Sequence, residues 1–263
     1  CHDIAEISKA IKWSKAAGLT TMVAMIYSYS PVHTDEYYAK KALAMAKAGA
    51  ERVFIKDVGG LLTPERTKTL VPAIMKQIDG IPLEIHGHCT TGLSPLCYLE
   101  AIKLGVQTVH TAVSPLANGP SQPSAENILL NLRYLGFSAN LNESALKAVA
   151  EHFQFVAKRE GFPIGSPIEH DLCQYEHHVP GGMMSNYRSE LVRRGLEDRL
   201  EELLKEIAQI RKELGYPIMV TPLSQYIGAQ AILNYTSGER YKIVTDEIIK
   251  YVLGHYGELA APV

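Results

Sequence analysis

The stretch from residue 52 to residue 88, RVFIKDVGGLLTPERTKTLVPAIMKQIDGIPLEIHGH, contains the unit that decides the fold. Residues 52–57 form an apolar run that predicts a short buried strand, and residues 81–88 predict a second strand. Residues 63–78 between them predict a helix that opens with Thr and Pro, a favourable helix entry, and Pro72 predicts a kink in it. This order indicates two parallel strands joined by a crossover helix.

The same alternation continues on both sides of this unit. Apolar spacing predicts helices over 4–17, 35–50 and 93–105, and strands over 21–30 and 106–113. A strand–helix period of about thirty residues predicts an α/β fold with a parallel sheet, and both a barrel and an open doubly wound sheet fit this pattern. No G-x-G-x-x-G follows a strand, which removes the usual dinucleotide-binding reason for the open sheet.

Past residue 140 the alternation stops and helical patterns dominate. Asn142 or Ser144 is a candidate N-cap for the first helix of this region, whereas residues 173–187 are rich in turn-forming residue types. No Gly/Ser-rich linker separates the two regions, so we expect an α/β part over residues 1–140 with a helical part over residues 141–263 packed against it. The predicted helices cover residues 142–161, the amphipathic segment 196–215 and most of 238–257.

Composition excludes several classes of protein. The chain has 263 residues, a net charge of -2 and 46% hydrophobic residues, which predicts a packed core. It contains no Lys/Arg-rich run, so we expect no nucleic-acid partner. Its apolar stretches are too short to span a bilayer, and we expect no signal peptide. The four cysteines form no C-x-x-C pair, which favours the reducing cytoplasm.

Two histidines close the strand at 81–88. Side chains alternate between faces along a strand, so His86 and His88 point the same way. Two imidazoles this close on one face are able to share a metal ion. They also fit ordinary polar residues at a strand end, and the pair alone does not decide between the two interpretations.

Lys56 closes the preceding strand and therefore neighbours the histidine pair. One interpretation is that it extends into solvent or pairs with Asp57. The other is that burial keeps its amine neutral, so that the amine adds carbon dioxide and becomes an anionic carbamate ligand. Lys56, His86 and His88 would then form a three-ligand set, with a carboxylate from another strand as the fourth ligand.

A second group of candidate residues lies in the helical part. Thr221 precedes Pro222, and Ser224 and Gln225 open an apolar helix. Thr or Ser at a helix start with Pro in the first turn is also the pattern of plain helix capping. His177 and His178, followed by V-P-G-G, fit either a second site or a tight turn.

Several segments together resemble a known family. In the same order along the chain they are similar to segments of the carboxyltransferase domain of biotin-dependent enzymes, which includes the oxaloacetate decarboxylase alpha subunit, the separate B subunit of two-subunit pyruvate carboxylases and the 5S subunit of transcarboxylase. The resemblance covers essentially the whole chain. It is carried by FIKDVGGLLTP (54–64), EIHGHCTTG (84–92), TAVSPLANGPSQPS (111–124), HHVPGGMMSN (177–186), MVTPLSQYIGAQA (219–231) and GERYKIVTDEIIKYVLGHYG (238–257).

The resemblance implies a TIM (β/α)8 barrel followed by a mainly helical funnel. It implies a divalent metal, zinc, cobalt or manganese, held by a carbamylated lysine, two histidines and an aspartate, with Lys56, His86 and His88 at the first three positions. Members of the family move a carboxyl group between carboxybiotin and pyruvate or oxaloacetate. The metal polarises the keto acid and stabilises enolate charge.

The resemblance also implies roles in the helical part. Thr221 matches the threonine that shuttles a proton between the ureido nitrogen of biotin and the methyl group of pyruvate, and Ser224 and Gln225 match positions that line the biotin pocket. The expected partners are the keto acid, a biotin carboxyl carrier domain or subunit, and a second copy in a homodimer. We expect a cytoplasmic protein without direct membrane insertion, or one peripheral to a membrane decarboxylase complex.

The chain departs from the family pattern in extent. The aspartate ligand and the substrate-binding arginine of the family lie in the first half of the barrel, whereas the resemblance implies that Cys1 falls in the helix before strand five. We therefore expect strands five to eight plus the funnel, with two open sheet edges, in a fragment that is inactive alone. The segments 119–123 (GPSQP) and 56–60 (KDVGG) differ from the more frequent GTSQP and KDMAG. These differences bear on substrate preference and leave the resemblance to the carboxyltransferase family unchanged.

Two other functions fit parts of the pattern. The related barrel superfamily includes metal-dependent acyl-CoA lyases and synthases with H-x-H at a strand end, usually followed by Asn-Asp. Here His88 is followed by Cys89, and that chemistry has no role for Lys56. The second alternative is a non-catalytic half-barrel scaffold that binds a biotin-carrier partner, although a decayed copy has no reason to retain a ligand set.

Overall fold

The computed structural model describes residues 3–263, so Cys1 lies outside the described residues. The strands and helices predicted for the first half of the chain are confirmed, with β1 and β4 shorter than predicted; α5 was not predicted. The elements of this α/β part are α1 (Ile4–Ala16), β1 (Met22–Ile26), α2 (Asp35–Lys47), β2 (Arg52–Asp57), α3 (Pro64–Ile78), β3 (Leu83–Gly87), α4 (Ser94–Lys103), β4 (Thr108–Val109) and α5 (Ala125–Tyr134).

The strands form one parallel sheet of four strands in the order β1-β2-β3-β4. Each strand therefore pairs with the next one along the chain, and a helix lies in each connection. The register brings Lys56 of β2 opposite His86 of β3. Because the strands are parallel, all their carboxyl ends lie at the same edge of the sheet.

The two faces of the sheet differ in what covers them. On β2, Val53, Ile55 and Asp57 are buried, whereas the alternate residues Arg52, Phe54 and Lys56 are only partly buried. Val53 and Ile55 belong to a hydrophobic core that also contains buried side chains of α2, α3 and α4. We call this side the helix-covered face, and the side that carries Arg52, Phe54 and Lys56 the polar face.

The helical part has its own hydrophobic core. Asn142 caps α6, as predicted, because its Oδ1 accepts the backbone N–H of Ala145 at 3.0 Å. Buried side chains of α8, α9, α10 and α11 form the second core, which includes Ile207 and Ile227. The elements are α6 (Glu143–Glu160), α7 (Gln174–His177), α8 (Gly181–Arg193), α9 (Leu200–Glu213), α10 (Leu223–Thr236) and α11 (Asp246–Val252).

Two predictions for the helical part were wrong. Residues 173–187 do not form a turn-rich segment; they contain α7 and the start of α8, and Gly181 is the first residue of α8. A Cβ atom at Gly181 would lie 3.1 Å from Cβ of Pro120, so this glycine serves close packing instead of a turn.

The second wrong prediction concerns residues 238–257, of which only Asp246–Val252 is α-helical. The residues before α11 are held by side chains of α10. The Oδ1 of Asn234 accepts the backbone N–H of Tyr241, and the Oε1 of Gln230 accepts that of Thr245. These bonds satisfy the backbone groups of the loop without a helix.

The helical part contacts the carboxyl edge of the sheet. The buried Arg211 of α9 donates from Nη2 to Ser28 Oγ at 3.0 Å and to Tyr29 O at 3.2 Å, both just after β1. His170 donates from Nδ1 to Thr91 O at 3.0 Å, in the loop after β3. The helices therefore lie beside the edge that carries His86 and His88. Among residues 3–263, no helix has the length and apolar character needed to cross a membrane.

Candidate functional site

The three strand-end candidates lie together on the polar face. Lys56 and His86 are paired in register on β2 and β3, and His88 follows β3 by one residue. All three side chains are partly buried at the carboxyl edge of the sheet. This edge is where parallel α/β folds place their ligand-binding and catalytic residues.

The two histidines face each other through their Nε2 atoms, which are 3.2 Å apart. The Nδ1 of His88 lies 2.5 Å from the carbonyl oxygen of Pro120, in the loop after β4. A carbonyl oxygen only accepts hydrogen bonds, so His88 donates its proton from Nδ1. In the neutral imidazole the Nε2 of His88 therefore carries a lone pair that points towards His86.

The surroundings keep both imidazoles neutral. Burial, together with the nearby His88, His110 and Lys56, lowers the pKa of His86 to about 4. Burial also lowers the pKa of His88, with a contribution from Lys56, although the bond to Pro120 acts in the opposite direction. Neutral imidazole is the form that binds metal ions.

The geometry of the pair fits a shared metal ion. Two nitrogen ligands at 2.0–2.1 Å from a tetrahedral metal lie about 3.3–3.4 Å from each other. The observed separation between the two Nε2 atoms is 3.2 Å. Over residues 3–263, no group of three or more His, Cys, Asp or Glu side chains is arranged to hold a metal ion. A third protein ligand within residues 3–263 would therefore have to be a side chain other than His, Cys, Asp or Glu. Lys56 is such a side chain, and it lies beside the pair.

The pairing of Lys56 with Asp57 is not observed. Asp57 is buried on the helix-covered face, where its carboxylate accepts the backbone N–H groups of Leu61 at 2.9 Å and Leu62 at 2.8 Å. Burial raises the pKa of Asp57 to about 6, while these backbone bonds act to lower it. Adjacent residues of a strand point to opposite faces, which leaves Lys56 beside the histidines.

Two further side chains that were not predicted from the sequence, His110 and Gln122, contact the pair, and a third, Glu84, contacts His110. The Nδ1 of His110 lies 3.2 Å from Nδ1 of His86, and its Nε2 lies 2.8 Å from Oε2 of the buried Glu84. The amide nitrogen of Gln122 lies 3.3 Å from Nε2 of His86. The alternation of side chains in a strand was the available signal for Glu84, because it precedes His86 by two residues.

The candidates of the helical part lie around the start of α10 and at the end of α7. Thr221 is exposed immediately before α10, and α10 has Pro222 as its N-cap residue without a side-chain cap, so the capping interpretation is wrong. Gln225 lines a cavity of about 460 Å³ between α8 and α10. Ser224 is fully buried, and its backbone oxygen accepts the hydroxyl hydrogen of Tyr187. His177 and His178 are buried at the end of α7, with His178 in a left-handed turn conformation.

Comparison with known structures first defines the class of fold. The carboxyltransferase domain of pyruvate carboxylase from Rhizobium etli, solved with pyruvate, superimposes with a TM-score of 0.87 at 22% identity. The match covers 96% of this chain and 45% of that one. At this identity the likeness shows the fold: a parallel α/β sheet with the helical part of that domain.

Family models and relatives then define the family. The HMGL-like model matches residues 3–153, and the model described as conserved carboxylase domain matches residues 175–263. The chain belongs to the carboxyltransferase family of biotin-dependent carboxylases.

Three curated relatives illustrate the range of this family. The B subunit of pyruvate carboxylase from Methanocaldococcus jannaschii is 39% identical over 100% of this chain and 46% of its own length. The 2-oxoglutarate carboxylase large subunit of Hydrogenobacter thermophilus is 32% identical over 100% of this chain and 40% of its own length. The methylmalonyl-CoA carboxyltransferase 5S subunit of Propionibacterium freudenreichii is 34% identical over 97% and 50%. The chain thus spans half or less of the length of these relatives.

Proposed function

We propose that this chain is the part of a biotin-dependent enzyme that transfers a carboxyl group between carboxybiotin and pyruvate or oxaloacetate. One observation carries the proposal: the Nε2 atoms of His86 and His88 converge to 3.2 Å beside Lys56. This convergence lies at the carboxyl edge of a parallel sheet in a chain that is related to the B subunit of pyruvate carboxylase. Both the pyruvate carboxylase type and the oxaloacetate decarboxylase type of enzyme perform this transfer.

The proposal includes an architecture. Residues 1–140 supply strands five to eight of a TIM (β/α)8 barrel, and residues 141–263 form the mainly helical funnel. Two features support this assignment: the strands pair in consecutive order, and side chains of α2, α3 and α4 pack on the face that carries Val53 and Ile55. In a closed barrel the polar face, with Arg52, Phe54 and Lys56, would line the interior.

Lys56, as a carbamate, together with His86 and His88 would hold a divalent metal, with zinc, cobalt and manganese as the candidate ions. The bound metal supplies positive charge that polarises the carbonyl group of a 2-keto acid. The contribution of this chain is to hold the two imidazoles neutral, with their Nε2 atoms converging. Lys56 adds a ligand from the neighbouring strand.

Thr221 is the proposed proton carrier. Its exposed hydroxyl would take a proton from the methyl group of pyruvate and pass it to the ureido nitrogen of biotin, or the reverse. A hydroxyl held between two reactants transfers a proton with little reorganisation. Gln225 would contact biotin from the cavity between α8 and α10, and Ser224 would support that cavity through Tyr187, which lines it and donates to the backbone oxygen of Ser224.

The proposed partners follow from this chemistry. Biotin would arrive on a carboxyl carrier domain or on a separate subunit, and the enzyme would work as a homodimer in the cytoplasm. The names of two relatives, the B subunit of pyruvate carboxylase and the 2-oxoglutarate carboxylase large subunit, support a 2-keto acid as the carboxyl acceptor.

The test uses the complete protein and measures biotin-dependent decarboxylation of oxaloacetate. Thr221→Ala should lower kcat/KM by about 10²–10⁴-fold, the usual contribution of a positioned proton-transfer group. Thr221→Ser keeps the hydroxyl and should retain most of the activity. Thr236→Ala, at the exposed far end of the same helix, is the matched control and should behave as wild type. Equal activity of wild type and Thr221→Ala would contradict the role of Thr221.

Measurements of biotin dependence and metal content on the same protein distinguish the proposed function from two alternatives. A metal-dependent acyl-CoA lyase or synthase would act on acyl-CoA thioesters and would not require biotin. A scaffold that only binds a biotin-carrier partner would contain no stoichiometric metal. Metal in the wild type that depends on His86, together with biotin-dependent turnover, excludes both.

A further inference from the structure

Four polar side chains form a continuous row on the polar face. Arg52 of β2 donates from Nε to Oε1 of Glu84, and His110, just beyond β4, approaches Oε2 of the same carboxylate with Nε2 at 2.8 Å. The other ring nitrogen of His110 lies 3.2 Å from Nδ1 of His86. The row therefore connects a buried carboxylate to the imidazole of the histidine pair through a third imidazole.

The partners at each end determine where the protons lie when His86 binds a metal. An ionised carboxylate only accepts hydrogen bonds, so Nε2 of His110 must donate to Glu84. Metal ligation through Nε2 of His86 leaves the proton of that ring on Nδ1. This proton then needs an acceptor, and the lone pair on Nδ1 of a neutral His110 supplies one at 3.2 Å.

We propose that Glu84 and His110 are positioning residues for the metal centre: Glu84 selects the tautomer of His110, and His110 accepts the Nδ1 proton of His86 so that the Nε2 lone pair of His86 points at the metal. This inference rests on the proposed function, because it assigns the residues that orient one of its metal ligands. Hydrogen-bond partners of this kind fix the ring orientation of a ligating histidine and raise its basicity.

The surroundings hold the row in one arrangement. The hydroxyl of Tyr98 donates to the backbone oxygen of His110 at 2.7 Å, which anchors the chain where β4 ends. The ring of Phe54 lies 5.3 Å from the ring centre of His110 and 6.3 Å from that of His86. Packing and hydrogen bonds on several sides therefore oppose rotation of either imidazole.

The first experiment measures the affinity of the metal-free complete protein for Co²⁺ by titration, followed by optical absorption. His110→Ala and Glu84→Ala should weaken binding by about 10–100-fold. Glu84→Gln should weaken binding less, since its amide oxygen still accepts the proton of His110. The matched control is Thr108→Ala, which truncates a neighbouring residue of β4, paired with Glu84, that contacts neither histidine through a hydrogen bond. This control should bind as wild type.

The second experiment needs no variant and observes the positions of the ring protons of His110 and His86. A merely structural role would not fix these positions. Nitrogen NMR of the ¹⁵N-labelled complete protein loaded with Zn²⁺ should show a lone pair on Nδ1 of His110 and a proton on its Nε2. A scalar coupling should connect Nδ1 of His86 with Nδ1 of His110 across their hydrogen bond. A protonated Nδ1 on His110 in the zinc-loaded protein would overturn the proposal.

The outcomes separate this inference from the function on which it rests. If the wild type binds neither Co²⁺ nor Zn²⁺ through His86 and His88, the proposed metal centre itself fails. If the wild type binds Co²⁺ through these residues while His110→Ala and Glu84→Ala bind with wild-type affinity, only the positioning role is wrong. A loss in both variants that also appears in Thr108→Ala would contradict a specific row and indicate general disruption of β4.

Discussion

The two faces of the sheet are built from the same strands but follow different rules. The helix-covered face presents Val53, Ile55 and Ile85, which are buried at 2% exposure or less. The polar face presents Lys56 and His86, which are only partly buried, and His86 contacts His88 and His110. One face therefore stabilises the fold by burial, and the other is free to carry chemistry at little cost in packing.

Neighbouring residues of one strand illustrate this division. Lys56 and Asp57 are adjacent and oppositely charged, yet they do not pair, because consecutive side chains in a strand point apart. Asp57 binds the backbone of the loop before α3, whereas Lys56 lies beside the histidines. A substitution on the helix-covered face should therefore leave metal affinity unchanged, and a substitution on the polar face should leave the free energy of unfolding unchanged.

The largest effect is expected for the histidine pair. His88→Ala should lower metal affinity by more than the roughly 100-fold that loss of an outer hydrogen-bond partner costs, because it removes a ligand. The free energy of unfolding of the metal-free protein should change little, since His88 is partly exposed. Metal content after dialysis and urea unfolding of the complete protein measure the two quantities.

His152→Ala is the control for the histidine pair, because His152 is exposed on α6 away from the sheet. It should retain wild-type metal content. Wild-type metal affinity in His88→Ala would remove the metal centre from the polar face.

An intermediate effect is expected on the helix-covered face. Ile55→Ala removes buried methyl and methylene groups from the larger core and should lower the free energy of unfolding by about 2–5 kcal/mol. Metal affinity of the folded fraction should be unchanged, because Ile55 points away from the histidines. Urea unfolding of the complete protein checks the first statement, and Co²⁺ titration checks the second.

Met22→Ala provides the matched truncation on the polar face, where Met22 is 45% exposed opposite Arg52. It should change the free energy of unfolding by about 0.5 kcal/mol or less. Similar losses for Met22→Ala and Ile55→Ala would refute the division between the faces.

A smaller effect is expected from a buried histidine outside the polar face. Burial lowers the pKa of His33 to about 4 from 6.5, with contributions from Arg211 and Arg66. Between these values the unfolded chain binds more protons, so the stability due to neutral His33 is present above pH 6.5 and is lost as the pH falls towards 4. His33→Gln removes this titration. Between pH 6.5 and pH 4 the free energy of unfolding of the variant should therefore fall less steeply than that of wild type, and the two slopes should differ by up to about 1.4 kcal/mol per pH unit.

Urea unfolding of wild type and His33→Gln at several values from pH 7 to pH 4 measures this difference. Other buried histidines, such as His177 and His178, titrate in both proteins and cancel in the comparison. Parallel stability curves would mean that His33 does not contribute to acid sensitivity.

The α/β part was predictable from sequence because its signals are local. The run 52–57 became β2 with the predicted bounds, and α1 and α3 match their periodic patterns within one or two residues. The boundaries of β1 and β4 were less accurate, because a strand extends only where a neighbour supplies ladder hydrogen bonds. Helix α5 was missed because it directly follows the segment 114–124, whose Pro and Gly residues indicate a loop.

The helical part was less predictable because its backbone depends on distant partners. The Pro-Gly-Gly at 180–182 is a turn signal on its own, but in the structure it opens α8 beside Pro120. The residues before α11 have helical composition, yet Asn234 and Gln230 hold them in a loop. In both cases a contact between residues far apart in the chain outweighed the local preference.

Sequence alone determined the parallel α/β order, the common face of His86 and His88, and the position of Lys56 on the neighbouring strand. These properties follow from the two-residue period of a strand and from the parallel connection, both of which act within short segments. Only the tertiary structure decided that Pro120 orients His88, that His110 joins Glu84 to His86, and that the helical part contacts this edge of the sheet. Those contacts join residues 24 or more positions apart, and no local pattern specifies which distant side chain completes a hydrogen bond.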